Sequence, residues 1–144
     1  MSGVHSLLCD AVTPSAAAGR DLYDASEDGD LERVKRILAA GNVDINYRGR
    51  WSRTPVMAAA LKGHRDVVEF LVGRRTDVSL VDKVGENVLH LASYKGHLET
   101  VKLILSLEVL DVNARNNRGE TAAERVGPWG NQRILDLLVS RGAH

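Results

Sequence analysis

Apolar and polar residues along most of this chain recur at helical spacing, with glycines cutting the pattern into short pieces. Residues 54–72, TPVMAAALKGHRDVVEFLV, show the unit. Thr54 is suited to cap a helix, because its hydroxyl accepts from the free amides of the first turn, and Pro55 fits the first helical position. Ala58, Ala59 and Ala60 carry so little side chain that another helix can lie close against them. Gly63 takes the left-handed conformation that ends such a helix. A second helix is predicted after it, with Val67, Val68, Leu71 and Val72 as its apolar stripe. Neither helix has enough apolar surface to bury itself alone.

What covers the pair follows from a period. GHRDVVEFLVGRRTDVS from Gly63 recurs as GHLETVKLILSLEVLDVN from Gly96. Upstream the same frame gives GDLERVKRILAAGNVDIN from Gly29, and downstream GNQRILDLLVSRGAH from Gly130. Successive glycines are 34, 33 and 34 residues apart, and Thr54, Asn87 and Thr121 keep the same frame. Self-similarity at this spacing predicts a stack in which each helix pair buries its face against its neighbours. Leu71, Val101, Ile104 and Leu138 are the expected contacts between pairs.

On TPVMAAALKGH, NVLHLASYKGH, GETAAERV and the turns VDIN, TDVS and LDVN, the chain resembles the ankyrin repeat family. The resemblance implies an all-α fold: an ankyrin repeat solenoid of stacked helix-turn-helix pairs, with β-turn fingers projecting from it. It covers residues 20–144, with repeats at about 20–46, 47–79, 80–113 and 114–144. Residues 1–19 are expected to be a disordered tail, or to dock Leu7, Leu8 and Val12 as a short helix over the first repeat.

The copies depart from the family's pattern in informative places. Ser52 stands at the usual turn glycine, and Asn87-Val88 replaces Thr-Pro, which predicts looser turns. Met57 and Glu124 occupy the position of His90, so its hydrogen bonds between repeats are not expected in copies two and four. One additional residue in AAGNVDIN and another in SLEVLDVN lengthen two loops. The first copy lacks the finger and carries polar Glu32, Arg33, Lys35 and Arg36, as an end cap exposed to water should.

Composition narrows the function classes. At 144 residues and 44% hydrophobic, the chain suits one domain. Net charge is zero, so no global field calls for nucleic acid or membrane. The single cysteine, Cys9, precludes an internal disulfide and fits a reducing compartment. No apolar run approaches membrane-spanning length, and the start lacks the basic region and long apolar core of a signal peptide. A cytoplasmic location, extending to the nucleus, is expected.

Tempting chemical motifs dissolve in the repeat frame. Asp24, Ser26, Asp28, Gly29 and Asp30 mimic the start of a calcium loop, yet the position needing a bidentate glutamate holds Lys35. His64 and His97 are one repeat period apart, so each is read as satisfying backbone groups beside its glycine, not as half of a metal pair. His90 is likewise a loop anchor, and Cys9 lacks a rigid setting for nucleophilic work. No catalytic residue and no cofactor or metal site is expected.

The surface left over by the fold carries the functional reading. The resemblance places binding residues on the fingers and at the ends of the inner helices, along a concave face. Carried over by frame, copy two supplies Arg48, Arg50, Trp51, Arg53, Leu61 and Lys62. Copy three supplies Lys83, Val84, Glu86, Tyr94 and Lys95, and copy four Arg115, Asn117, Arg118, Glu120 and Trp129, while Glu27 and Asp28 come from copy one. Eight basic residues against four acidic ones leave this face with a surplus of four positive charges in a neutral chain. Arg50, Arg53, Lys62 and Lys95 are expected to form a basic strip flanking Trp51 and Tyr94, and tryptophan, tyrosine and arginine are the types enriched at binding hot spots.

The resulting expectation is a monomeric, non-catalytic protein that binds another protein through an acidic segment, with no small-molecule substrate. A regulatory subunit that inhibits or positions an enzyme such as a kinase is the first alternative. Binding of nucleic acid or anionic lipid by the basic face is the second. The turns holding Asn46 and Asn113 also resemble sites at which ankyrin proteins are hydroxylated on asparagine, although asparagine suits such turns through its own side chain alone.

Overall fold

A computed structural model describes residues 14–126 and 130–144; Leu7, Leu8, Cys9, Val12 and Trp129 lie outside the described residues. Among those described there are eight α-helices and no strand. They pair as α1 (Ala16–Asp28) with α2 (Leu31–Ala40), α3 (Pro55–Lys62) with α4 (Arg65–Gly73), α5 (Val88–Lys95) with α6 (Leu98–Ser106), and α7 (Ala122–Val126) with α8 (Gln132–Ser140). The first members stack on one another in an inner row, and the second members in an outer row.

Local chemistry sets the boundaries. Thr54 Oγ1 accepts from the Met57 amide, and Asn87 Oδ1 accepts from the amides of Leu89 and His90. Gly63 ends α3 in the left-handed region at φ 78°, and the His97 ring lies against it with no room for a Cβ. That ring's Nε2–H donates to the Leu61 carbonyl at 2.9 Å, and His64 does the same to Glu27 one repeat earlier. These histidines tie the ends of α1 and α3 to the repeat that follows, which is the backbone role read from the sequence. His90 Nε2–H reaches the Glu120 carbonyl at 2.9 Å. In copy four Glu124 takes over the cap, its Oε1 accepting from the Thr121 amide and hydroxyl.

The first helix begins inside the stretch assigned to the tail. Ser15 Oγ caps it by accepting from the Ala18 amide, and the Ser15 amide donates to the Asn42 carbonyl. Gly19 packs against the Tyr47 ring where a side chain would collide. Residues 16–19 are therefore helical, because a long-range aromatic contact holds a run of alanines with no apolar stripe of its own.

Between the rows, Ala25, Ala59, Ala60, Ala92 and Ala122 are buried and let the inner helices approach closely. Leu71, Val101, Ile104 and Leu138 are also buried, as the periodicity required. The core is thus used up by repeat-to-repeat stacking, and exposed apolar groups must be sought on the fingers and helix ends.

Candidate functional site

Three fingers stand side by side ahead of α3, α5 and α7. A backbone bond joins the two ends of each: the Gly49 amide to the Arg53 carbonyl at 2.7 Å, Asp82 to Glu86 at 2.9 Å, and Asn116 to Glu120 at 2.8 Å. Bonds between fingers fix their register, with Lys83 N–H donating to the Trp51 carbonyl at 2.8 Å and Asn117 N–H to the Val84 carbonyl at 3.0 Å. In the second and third fingers a short side chain braces the turn. Asp82 Oδ1 accepts from the amides of Val84 and Glu86, and Asn116 Oδ1 from those of Arg118 and Glu120.

The first finger has Gly49 at that position, pressed against the Tyr23 ring, so it lacks the brace. Arg48 substitutes, its Nη1 donating to the carbonyls of Ser52 at 2.7 Å and Val81 at 2.6 Å. The turn itself is unusual. Trp51 and Ser52 are both left-handed, at φ 57° and 59°, whereas the later fingers have one left-handed residue, Gly85 and Gly119, at the Ser52 position. A non-glycine residue in this region is strained.

Trp51, Val84 and Arg118 occupy the same repeat position on successive fingers, and all three line one groove. Arg53, Glu86, Asn116, Glu120 and Arg125 complete its wall, around a volume of about 160 Å³. Trp51 is 59% exposed and Val84 38%. Nearby at the end of α5, Tyr94 is 49% exposed, its ring covered on one side by the Arg125 guanidinium at 4.0 Å.

The electrostatics differ from a continuous basic strip. Arg53 Nε lies 3.2 Å from Asp82, whose side chain is fully buried. Arg125 Nε lies 2.5 Å from the buried carboxylate of Glu86, which also accepts from Asn116 Nδ2 at 3.0 Å. Arg50 turns away to Glu27 and Asp24 and lies over the Tyr23 ring, and the Glu27 carboxylate raises its pKa. Burial raises that of the Tyr23 phenol. Arg115 folds back on its own finger, donating to the Gly119 carbonyl, and Leu61 packs against the core. Among the described residues, Lys62, Lys83 and Arg118 are exposed with no carboxylate in ion-pair range, and Lys95 is exposed beside the Tyr94 ring.

Of the residues singled out by sequence, Trp51, Arg53, Val84, Glu86, Arg118 and Glu120 meet in the groove, and Tyr94 joins them through Arg125. Arg48, Arg50, Leu61 and Arg115 instead have internal partners. Sequence reading missed Arg125, Asp82 and Asn116. Arg125 had a signal: it stands where Ala58 and Leu91 are buried in the preceding copies, a lone charge at a core position. Asn46 and Asn113 hold neighbouring loops, Asn46 Oδ1 accepting from Thr76 Oγ1 and the Asp77 amide, and Asn113 Nδ2 donating to the Gly142 carbonyl. Among the described residues no cluster of three His, Cys, Asp or Glu side chains is placed for a metal, and no helix is long and apolar enough to cross a membrane.

Comparison with known proteins gives the same frame. The profile of ankyrin repeats (3 copies) matches residues 22–116 and 70–144. The chain is 36% identical over 101 residues to the nuclear factor NF-kappa-B p105 subunit of Rattus norvegicus, covering 69% of this chain and 10% of that protein. It is 32% identical over 121 residues to the ankyrin repeat and KH domain-containing protein mask-1 of Caenorhabditis elegans, covering 83% of this chain and 4% of that one. The chain therefore spans a small fraction of the length of both relatives. Ankyrin repeats are in general modules that bind other proteins and are typically not enzymes. By its repeat frame, its helix pairs and these matches, the chain belongs to the ankyrin repeat family.

Proposed function

We propose that this chain is a non-catalytic module that binds another protein across the face formed by its fingers and inner-helix ends. The observation that carries the reading is the grouping of Trp51, Val84 and Tyr94, exposed on one side of a molecule whose other large apolar groups mostly pack in its core. Aromatic groups beside arginine give area that desolvates well, the pattern of interface hot spots. The preference for an acidic partner rests on Lys62, Lys83, Lys95 and Arg118, not on Arg50 and Arg53, which are neutralised internally. Exposed cations of this kind speed encounter with acidic surfaces and select against basic ones.

A photo-crosslinking residue at position 94, compared with one at position 36 on the outer row, tests the proposal in cell extract. A partner joined from position 94 and not from 36 is expected, and its yield should fall as salt rises. Crosslinking from position 36 alone would place the interface on the opposite side and overturn the reading.

A further inference from the structure

The groove is more selective than a basic face. Its two inner guanidiniums are neutralised in place, Arg53 by Asp82 and Arg125 by Glu86. A partner carboxylate that drew either one away would leave a buried acid unpaired, which is strongly unfavourable. They therefore serve as a flat, polar floor and do not capture anions. What the groove offers a ligand is Trp51 and Val84 on two successive fingers and the unpaired Arg118 on the third.

Size sets what fits between them. The volume of about 160 Å³ is close to the ~150 Å³ of a cavity that holds a benzene ring, and well below the ~300–1,000 Å³ usual for drug-sized ligands. One ring or branched aliphatic side chain fills it. The backbone of the first finger supplies a second, independent observation. Two consecutive non-glycine residues are held left-handed, and the first of them is a tryptophan left 59% exposed. Burial of the indole does not compensate for that strain in the free protein. Strain kept at the lip of a groove points to a group preset for a ligand.

We infer that the groove takes one aromatic or leucine-sized side chain of an extended partner segment between Trp51 and Val84, with a carboxylate further along that segment meeting Arg118. The inference rests on the binding reading above and narrows it from a charged face to a three-finger subsite. The finger order sets where the two groups of the ligand lie: the apolar anchor at the first and second fingers, the acid at the third.

A random dodecapeptide library displayed on phage, panned against the whole chain, supplies the probe. Enriched peptides are then labelled and titrated by fluorescence anisotropy, with circular dichroism on every variant to verify folding. Expected are peptides sharing one Phe, Trp or Leu position and an Asp or Glu at a constant spacing from it, with Trp51→Ala and Arg118→Glu each weakening binding tenfold or more. Amidation of the peptide's acid should weaken binding to the unmodified chain and strengthen it to Arg118→Glu, where it removes a like-charge contact. Purely acidic peptides, no enrichment at all, or binding unmoved by both variants would overturn the subsite. Peptides that ignore both variants yet are lost with Tyr94→Ala or Lys62→Glu overturn the subsite and leave the broader face standing. Peptides lost only with Lys35→Glu on α2 or Arg74→Glu just past the end of α4, both on the outer row, overturn both.

Discussion

Replacing Arg125 by methionine is expected to destabilise the fold more than any substitution of the exposed cations. Glu86 is 3% exposed and accepts from Arg125 Nε at 2.5 Å and from Asn116 Nδ2 at 3.0 Å. Removing the guanidinium leaves a buried carboxylate with one neutral donor. Breaking such a pair costs about 3–5 kcal/mol when both partners are dry. The Arg125 side chain is 23% exposed at the edge of an open groove, so water enters and about 2–3 kcal/mol is expected. Loss of its stack on Tyr94, at 4.0 Å, adds about 0.5–1 kcal/mol. In the double variant Glu86→Met/Arg125→Met no charge is stranded, and Asn116 Nδ2 keeps Glu120 at 3.1 Å. Its stability should return to within about 1 kcal/mol of the unmodified chain. Urea unfolding followed by circular dichroism measures all four corners of the cycle, and equal m-values guard against partial unfolding of the stack. A single substitution that costs less than about 1 kcal/mol, or a double variant as unstable as the sum of its parts, would refute the assignment of Arg125–Glu86 as a buried bridge.

Other consequences follow from the same geometry. Leu71→Ala removes a fully buried side chain between outer helices and should cost about 2–5 kcal/mol in urea unfolding, so an unchanged midpoint would contradict the register. Ser52→Gly relieves a left-handed residue at φ 59° and should stabilise by about 1 kcal/mol, whereas a lowered melting temperature would show that the turn is not strained. The Thr121 amide and then its hydroxyl hold the Glu124 carboxyl below its ordinary pKa. Its contribution is therefore present above the usual carboxylate range and lost as pH falls through the depressed value. The stability difference between the unmodified chain and Glu124→Gln should shrink on acidification, and a difference flat with pH would remove the cap from the account.

The helices were legible because their punctuation is local. Thr54, Asn87 and Thr121 cap by reaching amides within three residues, and Gly63 and Gly96 end helices through their own backbone freedom. The start of α1 was hidden because what holds it, Tyr47 against Gly19, lies 28 residues away. Candidate site positions on the fingers were legible for a similar reason: the repeat frame carries Trp51 to Val84 and to Arg118. Charge was not. Arg53 meets Asp82 and Glu86 meets Arg125 across neighbouring copies, at separations of 29 and 39 residues that no single-repeat pattern displays. A sum over side chains counts every one as solvated, whereas Asp82 and Glu86 are buried and each cancels an arginine. Including Asp24, Asp82 and Glu124 with Arg125 lowers the surplus on this face from four to two.

What survives that cancellation is a direction. Asp24 and Glu27 at the first repeat are matched by Arg50, while exposed Asp28 beside them meets no cation within ion-pair range among the described residues. The unpaired cations lie further along, at Lys62, Lys83, Lys95 and Arg118. The finger lip changes in the same sense, from an indole through a valine to a guanidinium. A segment with an apolar anchor followed by an acid fits when its acid points toward the fourth repeat. Reversed, the same segment would set its carboxylate near Asp28 and Glu27 and leave Arg118 unmatched, and like charges brought together at an interface select against that arrangement. Orientation therefore comes from differences between copies, because four identical repeats would present the same lip and the same charge to either end of a bound chain.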